Sequence, residues 1–217
     1  MEHHTTGDER TVHRLEAFSD IVIGFCIAQM GVNLLIPKTA AELPSIVVGT
    51  NAFAISFVLI AIVWWSHHRL FKSLFVLNAV TLILNFAMLG SLVLMVYFQQ
   101  VGLHFLASGN LPRTAVVLWL VAYALVFTLL ATMMWIGLYV RWNALSEEDL
   151  RWGLSWAMTN SIALLIFTTF SVLFEVQGRV SALAVILLAT GVIVKFAIDL
   201  VTNRLVARRA ALTTPRD

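Results

Sequence analysis

The side chains able to do chemistry fall in a few short stretches. Arg14-Leu15-Glu16-Ala17-Phe18-Ser19-Asp20 leads directly into the first apolar run and sets Glu16, Ser19 and Asp20 where the chain enters hydrocarbon. A carboxylate there is costly unless paired; the plainer alternative is a helix start whose acids complement the dipole. Trp64-Trp65-Ser66-His67-His68-Arg69-Leu70-Phe71-Lys72 closes the second run. Adjacent histidines diverge on a helix and miss the i, i+4 spacing that zinc sites favour. No companion cluster of Cys, His and acids stands near them, so no metal site is expected. Their expected use is hydrogen bonding to the carboxylates or guanidinium at the head of the first run. Asn78 and Asn85 add buried amides in the third run, as partners or as local glue between helices. Lys195 and Asp199, at i, i+4 in the last run, make an intramembrane pair that can neutralise itself. A structural pair is the better reading, with a proton or ion relay as the alternative. Ser19 and Asp20 are adjacent, and a serine without a positioned base is not an activated nucleophile. With no nucleophile–base pair and no phosphate-binding glycine loop, neither an enzyme nor a cofactor is expected.

The elements that must position these residues are membrane helices. Hydrophobic residues make up 60% of the 217 and charged residues 12%, against roughly 25% charged in soluble domains; mean hydropathy is +0.89. Apolar runs at 18–36, 48–65, 74–98, 115–140, 152–174 and 180–200 each approach the ~20 residues needed to span hydrocarbon. The fold class is therefore an all-α integral membrane protein with six transmembrane helices. It forms a single domain over 1–217, with a cytoplasmic N-terminal tail at 1–13 and a basic C-terminal tail at 205–217. Pro37, Pro44 and Pro112 fall between runs and Pro215 in the tail, so no helix interior is interrupted. Ser146-Glu147-Glu148-Asp149 resembles a capping box opening the fifth helix. The first 14 residues carry acids and histidines and no apolar region of their own, which is unlike a cleaved signal peptide.

Orientation comes from the basic residues. Arg10, Arg14, Arg69, Lys72, Arg141, Arg151, Arg204, Arg208, Arg209 and Arg216 fall on one side, and Lys38, Arg113 and Arg179 on the other. The positive-inside rule puts both termini in the cytoplasm, consistent with an even number of spans. Trp64, Trp65, Trp142, Trp152 and Trp156 gather at the cytoplasmic ends as an aromatic belt. A net charge of +2 is too small to suggest nucleic acid, and the lone Cys26 cannot form an intrachain disulfide.

At 100° per residue the first helix presents two stripes. Asp20, Gly24, Ala28 and Gly31 share a narrow sector whose small residues permit close approach of another helix. Phe25, Gln29 and Val32, at i, i+4 and i+7, form a second stripe turned roughly 100° from it. Gln29 lies near mid-membrane, where an amide should face protein or water. One face can thus pack within the subunit while the other meets a pore or a symmetry axis.

Arg14-x-x-x-Phe18-Ser19-Asp20 resembles the R-x-x-x-F-S-D signature of the transmembrane protein 175 potassium-channel family, in its single-repeat prokaryotic form. Trp65-Ser66-His67-His68-Arg69-Leu70-Phe71 is similar to that family's W-x-H-H-R-L-F pattern after the second span. The resemblance implies a homotetramer in the cell membrane, with four first helices lining a central path for K+ or other monovalent cations. It implies that Arg14, Ser19 and Asp20 join a hydrogen-bonded network with the second and third helices, with His67 or His68 as partners. It places the pore and gate on Phe25, Gln29 and Val32, a side-chain constriction in place of a carbonyl filter, with Ala28 where a threonine contributing to selectivity is usual. Ile21 and Asn33 also depart from the family's common glycine and glutamate. The function so implied is passive K+ conduction. The alternatives are proton or secondary transport through Lys195 and Asp199, or a non-conducting scaffold or sensor that keeps the fold.

Overall fold

In the computed structural model of the chain every described element is a helix. The structure describes residues 3–32, 34, 36, 39, 43–107, 112–177, 194, 195 and 197–209. In order the elements are α1 (His3–Val32), α2 (Leu43–Arg69), a π-helical turn (Leu70–Leu74), α3 (Ala79–Ala107), α4 (Arg113–Arg141) and α5 (Glu147–Gln177), followed by α6 at 197–209. Among the described residues four stretches are long and apolar enough to cross a membrane: Gly7–Val32, Gly49–Leu74, Ala79–Gly102 and Arg113–Arg141. The fifth apolar run lies within α5, whereas the run at 180–200 and the tail beyond 209 fall largely outside the described residues.

Local chemistry explains the boundaries. Helix α1 already begins at His3, so most of the stretch assigned to an N-terminal tail is helical. Pro44, expected between spans, lies in the first turn of α2, where its missing N–H costs nothing because that donor has no intrahelical partner. Pro112, extended at φ −67° and ψ 129°, caps α4. At α5 the Ser146 hydroxyl accepts from the Asp149 N–H at 3.1 Å and donates to the Asp149 carboxylate at 2.8 Å.

The third run departs from expectation. The backbone does not enter α3 at Leu74; it first closes the π turn with a Phe75 N–H to Leu70 carbonyl bond of 2.8 Å and becomes extended at Phe75. Asn78 is then the cap of α3, its Oδ1 accepting from the Thr81 N–H at 2.9 Å, and it is exposed. The amide expected in the span interior therefore sits at its mouth, because a short polar side chain satisfies an orphan N–H better there than within hydrocarbon. Asn85, one turn and more inward, is fully buried.

The π turn is wedged into the bundle. Leu70 and Leu74 are wholly buried, and a Cβ on Gly137 of α4 would stand 2.2 Å from the Leu74 carbonyl oxygen. Only glycine allows this approach. Arg141, at the end of α4, donates to the Ser73 carbonyl at 3.1 Å. Arg209 of α6 donates to the carbonyls of Leu145 at 3.3 Å and Asn143 at 3.4 Å, tying the last helix to the α4–α5 turn. Helices α4 and α5 pack along each other and α3 packs on α4, while α1 rests on α2 and α3.

Candidate pore face and its anchoring network

Helix α1 is held by one side. Leu15, Ser19, Ile23, Cys26 and Met30 are buried, an arc that recurs every three to four residues as a helix face must. On the far side Ile21 is 70% exposed, Phe25 69% and Val32 80%, with Gly24, Ala28 and Gln29 exposed beside them. This corrects the angular reading in part. The small-residue sector of Asp20, Gly24, Ala28 and Gly31 is not the face that packs within the chain: a Cβ on Gly24 would meet nothing within 4 Å, and one on Gly31 only Phe53 at 3.8 Å. The small residues lie at the edge of the exposed face, so any close helix approach that they permit is not to the described helices of this chain. The aromatic and amide stripe of Phe25, Gln29 and Val32 shares that exposed side. The Gln29 carbonyl also accepts from Gln100 Nε2 of α3 at 3.3 Å.

The buried face of α1 is pinned by a directional chain of hydrogen bonds. Asn85 of α3 donates from Nδ2 to the Ser19 hydroxyl oxygen at 3.1 Å, and Ser19 donates in turn to the Leu15 carbonyl of its own helix at 2.9 Å. Because the amide nitrogen faces Ser19, its oxygen faces α2 and stands 2.9 Å from His67 Nε2. An oxygen can only accept, so the imidazole proton is assigned to Nε2. Three helices are thus joined from His67 through Asn85 to Ser19, with every group in the chain neutral. Ser19, His67 and Asn85 are each at most 1% exposed, where an unmade hydrogen bond is costly.

A second set of contacts flanks this layer. Trp64 Nε1 donates to Asp20 Oδ1 at 2.9 Å. Glu16 meets His68 Nδ1 at 3.0 Å, with His13 3.8 Å from its other oxygen. The His68 ring stacks on Trp64, centroids 5.9 Å apart, and Phe18 meets Phe86 of α3 edge-on at 5.8 Å. The structure therefore brings together Phe18, Ser19, Asp20, His67 and His68, and does not bring in Arg14, which is exposed and has no ion pair or hydrogen bond among the described residues. An exposed guanidinium keeps its hydration, so nothing drives it onto these carboxylates within one chain.

Two partners escaped the sequence reading. Trp64 was assigned to the interfacial belt, although an indole N–H near an intramembrane acid is itself a signal of pairing. Ser155 of α5 bridges the last candidate pair: Lys195 Nζ donates to Asp199 Oδ1 at 2.6 Å and to Ser155 Oγ at 2.5 Å, and Ser155 donates to Asp199 at 2.5 Å. Lys195 and Asp199 side chains are 35% and 47% exposed, so the pair faces a cavity at the bundle's edge. Among the described residues no group of three or more His, Cys, Asp or Glu could hold a metal ion.

Comparison with known proteins bears on these residues directly. Residues 14–95, which contain both motifs, α2 and the Asn85 partner, match the family model described as endosomal/lysosomal potassium channel TMEM175. No curated protein matches the chain. Among solved structures the chain is similar to a variant of the potassium channel MtTMEM175, crystallised with a nanobody–MBP fusion protein. The TM-score is 0.61 and the identity 20%, covering 90% of this chain and 93% of that chain. Both are named as ion channels, not enzymes. Residues 14–95 thus match the TMEM175 potassium-channel family model, in line with the resemblance read from the motifs, and the helices adopt the fold of a TMEM175 channel.

Proposed function

We propose that the chain is a subunit of a passive K+ channel in the cell membrane, a homotetramer of six-span chains with both termini cytoplasmic. The observation that carries this reading is the two-sidedness of α1. One face is pinned to α2 and α3 through Ser19, Asn85 and His67, while the opposite face leaves Phe25 and Val32 more than two-thirds exposed. Four such faces turned toward one axis would bury that surface and make a path lined by Phe25, Gln29 and Val32, with Ala28 beside it. Apolar constrictions of this kind gate by dewetting, and a ring of Gln29 amides would offer carbonyl oxygens to a partly dehydrated cation. The network residues Phe18, Ser19, Asp20, His67 and His68 then hold the pore helix and do not bind the ion, while Arg14 stands outside that network within one chain. Lys195 and Asp199 satisfy each other and Ser155, which favours a structural pair over a relay.

The test is cation flux from purified protein in liposomes under K+ or Na+ gradients, with empty liposomes as control. Gln29→Leu is expected to change the K+/Na+ permeability ratio. An unchanged ratio removes Gln29 from the filter, and no flux from folded tetramer refutes the channel reading.

A further inference from the structure

Beyond the pore face, the largest unexplained chemistry lies in a cavity of about 470 Å³ where α5 and α6 meet the end of α2. Its walls carry the paired Trp152 and Trp156, with the guanidinium of Arg69 and the side chain of Arg151 alongside. The Arg69 guanidinium carbon lies 4.9 Å from the Trp152 ring centroid, an arrangement that orients a planar cation while leaving its edge for hydrogen bonding.

Charge in the cavity is unbalanced toward the positive. The Asp199 carboxylate is already taken by Lys195 and Ser155. Glu148 is 85% exposed and its nearest approach to Arg69 is 3.9 Å, well beyond the ~2.7–2.9 Å of a charge-assisted bond. Arg151 has no anionic partner among the described residues. Two further buried polar atoms, Arg69 Nε and Thr202 Oγ1, have no hydrogen-bond partner among the described residues. Thr202 is among the residues bordering the cavity and is 0% exposed. Two guanidinium groups and a buried hydroxyl thus border one space, more donors than the two oxygens of a carboxylate would use. A tetrahedral anion with three or four acceptor oxygens uses them all. The volume suits a small organic group more than a bare ion, and tryptophans at the ends of membrane helices lie at the level of lipid head groups.

We propose that this cavity binds a phosphate ester, its phosphate held by Arg69 and Arg151 with the Thr202 hydroxyl, and its organic part against Trp152 and Trp156. The site is independent of the pore face, so its test does not require conduction. Thermal unfolding of the purified full chain in neutral detergent is followed with dioctanoyl phosphatidylglycerol, with glycerol phosphate, and with dioctanoylglycerol, which has the chains and no phosphate. A saturable rise in melting temperature is expected with a phosphate-bearing probe and not with dioctanoylglycerol. A response to the phospholipid alone assigns a lipid head group, and an equal response to glycerol phosphate assigns a soluble ester; either supports the site. Arg151→Gln and Arg69→Gln are expected to weaken binding at least about tenfold, each removing a charged hydrogen bond. Should Arg69→Gln fail to fold, Arg151→Gln and Thr202→Val carry the test. Binding unchanged in Arg151→Gln, no saturable shift with either phosphate probe, or an equal shift with dioctanoylglycerol overturns the proposal.

Discussion

Asn85→Leu removes the central link between three helices with little change in volume, and its cost follows from the geometry. Asn85 makes two interhelical bonds, to His67 and to Ser19. Interhelical bonds in membrane proteins average ~0.6 kcal/mol and reach ~1.7, which gives about 1.2 kcal/mol for the pair. Ser19 keeps its bond to the Leu15 carbonyl, but the His67 Nε2 proton is left in a fully buried site without an acceptor, a penalty of about 1–3 kcal/mol. The two estimates overlap, so the expected loss is about 2 kcal/mol. At about 2–4 °C per kcal/mol for a chain of this size, the melting temperature in detergent should fall by about 4–8 °C. Ser19→Ala breaks one of the two interhelical bonds and leaves a buried Asn85 Nδ2 proton without its acceptor, and should cost about 1–2 kcal/mol. The double variant should then fall short of additivity by a similar amount, because the shared bond is lost once. An Asn85→Leu protein within about 0.5 kcal/mol of wild type, or strict additivity in the double variant, would refute the network as the anchor of α1.

Other perturbations separate the remaining contacts. Gly137→Ala drives a Cβ to 2.2 Å from the Leu74 carbonyl; since backbone cannot yield as a side-chain tip does, a loss of at least about 3 kcal/mol is expected, seen as aggregation on size-exclusion chromatography or a large drop in melting temperature. Ser146→Ala removes the cap of α5 and should cost about 1 kcal/mol, measured in the same melting assay and without effect on flux. Trp64→Phe keeps the ring and deletes only the donor to Asp20; at this partly exposed site about 0.5–1 kcal/mol is expected, so a loss matching that of Asn85→Leu would invert the ranking of the two layers.

Hydropathy made the helices legible, and the Ser146 cap could be read residue by residue. The signature stretch also announced its partners, since buried or half-buried acids and hydroxyls at a membrane entry must find them. The faces of α1 were harder. In a membrane protein both the inward and the outward side of a helix are apolar, so the spacing that grouped Gly24 with Asp20 could not say which sector packs within the chain. The π turn at Leu70–Leu74 was equally hidden: its residues are ordinary helix formers, and only the close approach of Gly137 and the buried Leu74 reveal why the backbone widens there. Asn78 misled for a related reason. Polar residues at i and i+7 share a face, but only the break after Phe75 makes the first of them a cap.

The hydrogen-bond chain from His67 to Ser19 contains no formal charge, and this has a consequence for how such a helix can diverge over time. A neutral clamp casts only a weak, short-ranged field, so the far side of α1 feels little of it. Residues on the two sides are then under separate constraints: the clamp fixes where the helix axis sits, and the opposite side can exchange an aliphatic for Phe25 or an amide for a hydrocarbon without disturbing that placement. Lineages that share the clamp should therefore be readable as kin even where their exposed sides have drifted apart. Transplanting that side alone between relatives should yield folded chimaeras.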